Sequence, residues 1–191
     1  MEKSKVRHQF LSAELSQLLS LETNLETMLT VSMYKLNQSM DSERLSIFLI
    51  DRFKQQLTSF SSLDLAKQEI QMSLSSGVAG WVFVNREAAI INDAYKDDRF
   101  YRGVDDMTGF RTRNLICTPL IDDKRNCWGT LQSLNKNRGD FTLEDLDLLS
   151  MTARLLAGTI YKNRCCDNVL MKNIKYRKLA SRLSKRLAMA Q

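Results

Sequence analysis

One proline, seven glycines and a single histidine in 191 residues exclude several kinds of protein at once. So little Gly and Pro rules out collagen-like and low-complexity architectures and favours long uninterrupted helices. The lone His8 lies beside the N-terminus, so a Ser-His-Asp triad, a His-ligated haem and an HExxH metal site all lack material. Four cysteines, Cys117, Cys127, Cys165 and Cys166, form no CxxC, which leaves a structural zinc site unsupported and reads as a reduced chain. No apolar run approaches the roughly 18 residues of a membrane span. Met1-Glu2-Lys3-Ser4-Lys5 leads into no apolar signal segment, so the chain reads as soluble and cytoplasmic. What is present, 43% hydrophobic and 26% charged residues, suits one good globular core with extensions.

The net charge of +6 is unevenly spread. Between Lys162 and Arg186 nine Lys or Arg face one acid, Asp167, while the remaining nineteen basic and twenty-one acidic residues net −2. Such a segment could touch nucleic acid or anionic lipid, but a lone Tyr176 makes no aromatic interleaving and there is no DNA-reading motif, so a solvated helix face is the better expectation.

Leu11, Leu15, Leu18, Glu22, Leu25, Leu29, Ser32 and Leu36 step by four and three, which predicts an N-terminal helix over residues 1–41 for packing or dimerisation. Strands are predicted at Arg44–Asp51, Gln56–Phe60, Glu69–Leu74, Ala89–Ile91, Leu115–Ile121 and Trp128–Leu134, with a turn and short helix at Ser75–Phe83. Asp93–Arg113 is polar and irregular. Thr142 is a candidate N-cap, with acids in the first turn, for a last helix that nothing interrupts but Gly158. Strands in sequence with helices mostly at the ends predict an α+β domain on an antiparallel sheet. The terminal helices then lie on one face, or on a partner, and a pocket lies on the other under Asp93–Arg113.

The run Phe100-Tyr101-Arg102-Gly103-Val104-Asp105-Asp106-Met107-Thr108-Gly109-Phe110-Arg111-Thr112-Arg113-Asn114 resembles the ligand-covering segment of cyclic-nucleotide-binding GAF domains, found in cyclic-nucleotide phosphodiesterases and bacterial adenylyl cyclases. Gly77-Val78-Ala79-Gly80, Ile91-Asn92-Asp93-Ala94-Tyr95 and Asn114-Leu115-Ile116-Cys117-Thr118-Pro119-Leu120 add to the resemblance. So do Asn135-Lys136, Phe141 and Asp145, which are similar to the family's Asn-Lys…Phe-x-x-x-Asp-Glu signature, with Leu146 in place of its final Glu. The resemblance spans residues 42–163 and implies a GAF fold with a structural ion pair between Lys136 and Asp145. It makes 164–191 a basic signalling helix leading to an output domain.

The resemblance further implies a cyclic-nucleotide ligand and no cofactor. It assigns Val78, Ala79 and Tyr101 to backbone contacts around phosphate and sugar, and Asp105, Thr108 and Thr112 to polar contacts with purine and ribose. Ser46 stands at the pocket floor, Phe60 at a purine-packing aromatic, and Gln132 where the family has a Glu beside the ribose. Ser61 replaces the Asp of guanine-binding members, and a serine cannot accept from the guanine N1–H and amine together, which favours cyclic AMP over cyclic GMP. From the residues alone, a helix N-terminus behind small residues can present free N–H groups to a phosphate.

Three function classes follow. The first is a regulatory sensor whose terminal helices, associated as a parallel homodimer, carry pocket closure to an output domain. The second is a cysteine-based methionine sulfoxide reductase; its fingerprint resembles this turn but places Cys where Ala79 stands, and Cys117 and Cys127 lack an activating neighbour. The third is a dimerisation scaffold that has lost its ligand, against which the polar side chains of Phe100–Asn114 argue.

Overall fold

The structure, a computed structural model, describes residues 2–21, 24–60 and 70–163. The elements run α1 (Glu2–Leu21), α2 (Leu25–Met40), β1 (Ser42–Asp51), β2 (Gln56–Phe60), β3 (Gln71–Ser73), α3 (Gly77–Asn85), β4 (Ala89–Ile91), α4 (Gly103–Thr108), β5 (Leu115–Ile121) and β6 (Cys127–Lys136), with a 3-10 turn at Ala94–Lys96. A further helix, α5, occupies residues 143–163. All pairings are antiparallel and the six strands lie in the order β3-β2-β1-β6-β5-β4. The α+β architecture expected from the strand pattern is the one observed. The basic segment from residue 164 and the vicinal Cys165 and Cys166 lie outside the described residues.

Alternation along each strand separates two cores. Leu45, Ile47, Ile116, Leu120 and Leu131 face Leu29, Met33, Leu36, Leu149, Leu156 and Ile160 of the terminal helices. Phe48, Ile50, Leu115, Cys117 and Leu134 face Val78, Ala79 and Val82 of α3 on the other side. The single proline, Pro119, pairs with Thr130 beyond the reach of β4, which covers only residues 115–117 of β5; the missing N–H therefore breaks no ladder bond on that side.

The N-terminal segment differs from the single helix expected. α2 starts afresh at an Asn24 cap, whose side chain accepts from the Thr27 N–H at 3.0 Å. Lys35 on α2 contacts Glu14 on α1 at 3.0 Å, whereas 21 positions along one helix would separate them by roughly 30 Å. The two helices therefore fold back on each other. Leu11, Leu15, Leu29 and Leu36 of the leucine seam are spent on this chain's own core.

The last helix is fixed by its predicted cap. The Asp145 carboxylate accepts from the Thr142 N–H at 2.8 Å while the Thr142 hydroxyl accepts from the Asp145 N–H at 3.3 Å, a reciprocal capping box. The same Asp145 oxygen takes the Lys136 ammonium, so the end of β6 is tied to the start of α5. Leu146, in place of the signature Glu, packs against the helix-side core.

Candidate functional site

On the face away from the terminal helices, the segment 93–113 arches over the sheet and leaves a cavity with about 570 Å3 of unfilled space, part of it continuous with solvent. Ser46 and Gln132 lie opposite each other in the β1–β6 register, and both line the floor. The N-terminal turn of α3 supplies one wall through Gly77, Val78 and Ala79. Gly77 has φ +69, the left-handed conformation that admits the helix straight from the turn. Gly80 packs so closely under the preceding turn that a Cβ would stand 2.6 Å from the Leu74 carbonyl oxygen.

The roof includes a short helix, α4, within the segment whose composition is irregular. Gly109, at φ 69, closes α4 by donating to the Asp105 carbonyl at 2.8 Å. Asp105 is buried, and its carboxylate accepts from the Thr112 N–H at 2.7 Å, the Thr112 hydroxyl at 2.8 Å and the Tyr95 hydroxyl at 3.1 Å. Partial burial, then the Asp105 bond, raises the Tyr95 hydroxyl above the ordinary phenol range. Thr108 donates to the Val104 carbonyl at 2.8 Å, serving its own helix. Arg99 bridges Asp97 at 2.7 Å and lies over the Trp81 ring at 4.6 Å, which fastens the roof to α3. The hydrogen bond from Arg99 holds the Asp97 carboxyl below its usual range.

The expected ligand residues Ser46, Val78, Ala79, Tyr101, Asp105, Thr108, Thr112 and Gln132 all line this one cavity. Phe60 does not. It pairs with Ile47, so both side chains point to the helix face, and Phe60 packs on the helix-side core. Ser61 lies outside the described residues. Asp105 and Thr112, expected to reach a ligand, are bonded to each other, so in this state they shape the wall.

Several participants were not anticipated. Arg44, two residues before Ser46 on the same strand face, lines the cavity and stands over the Phe110 ring at 4.0 Å. Asn135, at φ 57, pins the end of the roof: its amide donates to the Arg111 carbonyl and to Glu43, both at 2.8 Å, and its carbonyl accepts from the Arg113 N–H at 2.6 Å. That hydrogen bond and the neighbouring Arg113 hold the Glu43 carboxyl below its usual range. Asn92 pins the other side, exchanging two bonds with the Phe141 backbone at 3.0 and 3.3 Å. The strand alternation would have found Arg44; the asparagines carried only the signature. Cys117 is fully buried under α3, and burial pushes its thiol up to about 12.

With this geometry the family can be stated. One family model, that of the GAF domain, matches residues 24–160. The chain belongs to the GAF domain family. It is 29% identical over 150 residues to the probable 3′,5′-cyclic phosphodiesterase pde-5 of Caenorhabditis elegans, a match covering 72% of this chain and 20% of that protein. It is 36% identical over 74 residues to the dual 3′,5′-cyclic-AMP and -GMP phosphodiesterase 11 of Drosophila melanogaster, covering 39% of this chain and 5% of the relative. The GAF chain thus spans a small part of these curated relatives. Among solved structures, the GAF domain of a phosphoenolpyruvate-protein phosphotransferase from Coxiella burnetii superposes with a TM-score of 0.74 at 17% identity, over 85% of this chain and 98% of that one. The free methionine-R-sulfoxide reductase of Neisseria meningitidis superposes at 0.70 with 18% identity, over 87% and 95%. These structural likenesses establish the fold. Among the described residues no helix of this GAF domain is long and apolar enough to cross a membrane.

Proposed function

We propose that this GAF domain is a regulatory cyclic-nucleotide sensor, with cyclic AMP preferred over cyclic GMP, and that it catalyses no reaction itself. The observation that carries the reading is the gathering of eight expected ligand residues around one cavity between the sheet floor and the α4 roof. The α3 N-terminus offers main-chain N–H groups to the cyclic phosphate. Ser61 withholds the carboxylate that guanine would use. The relatives, cyclic phosphodiesterases many times longer than the match, suit a module that controls an output domain in a cytoplasmic signalling protein. The buried Cys117 and Cys127, both held as thiols, favour sensing over redox catalysis.

Closure of 93–113 around a nucleotide is transmitted in this reading through α5 and the residues beyond it. Because the N-terminal leucines are used internally, the parallel homodimer rests on the C-terminal helix and on exposed Phe10 and Tyr34. Nucleic acid is not a partner in this reading, and the chain does not span a membrane. Calorimetric titration with each nucleotide tests the proposal. Ser76→Asp adds a carboxylate at the unbonded N-cap of α3, where it suits the helix dipole but repels a phosphate. Saturable cyclic AMP binding, weakened about tenfold or more in this variant at unchanged Tm, is expected, about 1.4 kcal/mol of repulsion. Absence of saturable heat with either nucleotide would overturn it, and preference for cyclic GMP would remove the argument from Ser61.

A further inference from the structure

The end of α3 away from the cavity opens into a second cleft, with about 670 Å3 of unfilled space partly continuous with solvent. Ile50, Phe83 and Val84 give it an apolar floor, and Arg52, Arg86 and Arg125 rim it. The three cations come from separate places: the β1–β2 turn, the C-cap of α3 and the β5–β6 turn. Among the described residues no carboxylate pairs with any of them.

Glu87 and Asp123, exposed beside Arg86 and Arg125 in sequence, form no ion pair with them among the described residues, and the acids next to these turns are engaged by the backbone. Asp51 accepts from the Phe53 and Lys54 N–H groups at 2.9 and 3.1 Å. Asp122, buried, accepts from the Lys124 and Asn126 N–H groups and from the Trp128 indole, each at 2.9 Å. Internally the cluster keeps one long bond, from Arg86 Nη1 to the Arg125 carbonyl at 3.4 Å.

Gathering like charges opposes folding unless something offsets it. The C-terminal dipole of α3 favours a cation at Arg86, but it does not explain why two other turns deliver Arg52 and Arg125 to the same spot. The backbone adds a second oddity. Arg86 and Arg125 sit at φ 59 and 63, left-handed positions where glycine is the residue of least strain. Their side chains, both exposed, therefore stand at costly backbone positions without an ion pair among the described residues.

We propose that this cleft docks an acidic polypeptide segment that carries an apolar side chain. Its carboxylates take the guanidinium forks, whose planar donors match them in pairs, and its apolar side chain rests on Ile50, Phe83 and Val84. The apolar floor selects such a segment over a free inorganic anion. Phe53, fully exposed in the turn beside Arg52, extends the contact at the lip. The partner lands next to α5 at Tyr161: the Arg52 guanidinium lies 5.3 Å from the Trp128 ring, and that ring lies 6.2 Å from Tyr161. The inference does not depend on which ligand fills the main cavity.

The test is fluorescence anisotropy on the full chain with a labelled peptide of repeated Glu-Leu-Asp-Phe units. A labelled single-stranded DNA and phosphatidylserine vesicles are titrated in parallel. Replacing both Arg86 and Arg125 with glycine deletes two rim cations while easing the backbone, so the fold is expected to stand, and a melt checks this. Should it fall, Arg52→Gln with Arg125→Gln replaces it. The double variant is expected to bind the peptide roughly tenfold more weakly, from two exposed charge contacts. Arg138→Gln, an exposed arginine elsewhere, is expected to change binding less than about twofold. A peptide with Ser in place of Leu and Phe should also bind less tightly. Equal affinity of cleft variant and control, no binding by the native chain, or tighter binding of DNA or vesicles than of peptide would each overturn the proposal.

Discussion

Thr112 holds Asp105 twice, through its backbone N–H at 2.7 Å and its hydroxyl at 2.8 Å, and so fastens the α4 roof to the strand that follows it. Both groups are buried, and a buried donor left without an acceptor is costly. The roof is also joined to the body through Asn135, through Arg99 on Trp81, through Arg44 over Phe110 and through the Arg113–Glu43 ion pair.

Asp105→Ala is expected to cost about 2–3 kcal/mol, because it strands the Thr112 N–H, and Thr112→Val about 1 kcal/mol, because it removes the hydroxyl bond alone. Limited trypsin digestion provides the second reading. Cleavage after Arg102, Arg111 and Arg113 should accelerate in Asp105→Ala well before global unfolding. Equal losses in the two variants would mean that the main-chain bond contributes nothing.

Two glycines make opposite predictions from the same substitution. At Gly80 an added methyl meets the Leu74 carbonyl at 2.6 Å, a backbone atom that cannot swing aside, so Gly80→Ala should destabilise by about 1–3 kcal/mol. At Gly158, within α5, the methyl meets nothing within 4 Å, so Gly158→Ala should stabilise by up to about 1 kcal/mol through helix propensity. Urea midpoints of the two variants check both signs.

Cys117 should resist thiol reagents in the folded protein. Burial disfavours its thiolate and carries its pKa to about 12, so at neutral pH the reactive form is almost absent as well as inaccessible. Iodoacetamide labelling followed by mass spectrometry is expected to leave Cys117 unmodified until denaturant is added. Rapid labelling in native buffer would reopen the reductase reading.

The strands were legible because their residues alternate cleanly and their turns are polar; Leu115–Ile121 was read with both ends as they stand. The Gly77 turn and the Thr142 cap were legible because small residues and a hydroxyl have few other uses at those positions. Phe60 was misplaced because its side depends on the hairpin register. The partner of Ile47 must share Ile47's face, and the 52–55 turn fixes that pairing through backbone geometry rather than composition. The break before Leu25 was hidden by a leucine spacing that runs on unbroken through it; Asn24 was the available sign. The mutual bond of Asp105 and Thr112 could not be read at all, since each is equally suited to a ligand.

The two tryptophans, the only ones in the chain, sit at the two ends of this machinery. Trp81 lies beneath Arg99 of the roof, and Trp128 lies beside Tyr161 of α5. A cation above one indole and a phenol ring beside the other give each its own quenching environment. Replacing either with Phe therefore yields a protein whose tryptophan emission reports one end alone, the roof or the last helix. On the sensor reading proposed above, the order in which the two ends respond to added cyclic AMP can then be timed with no dye attached.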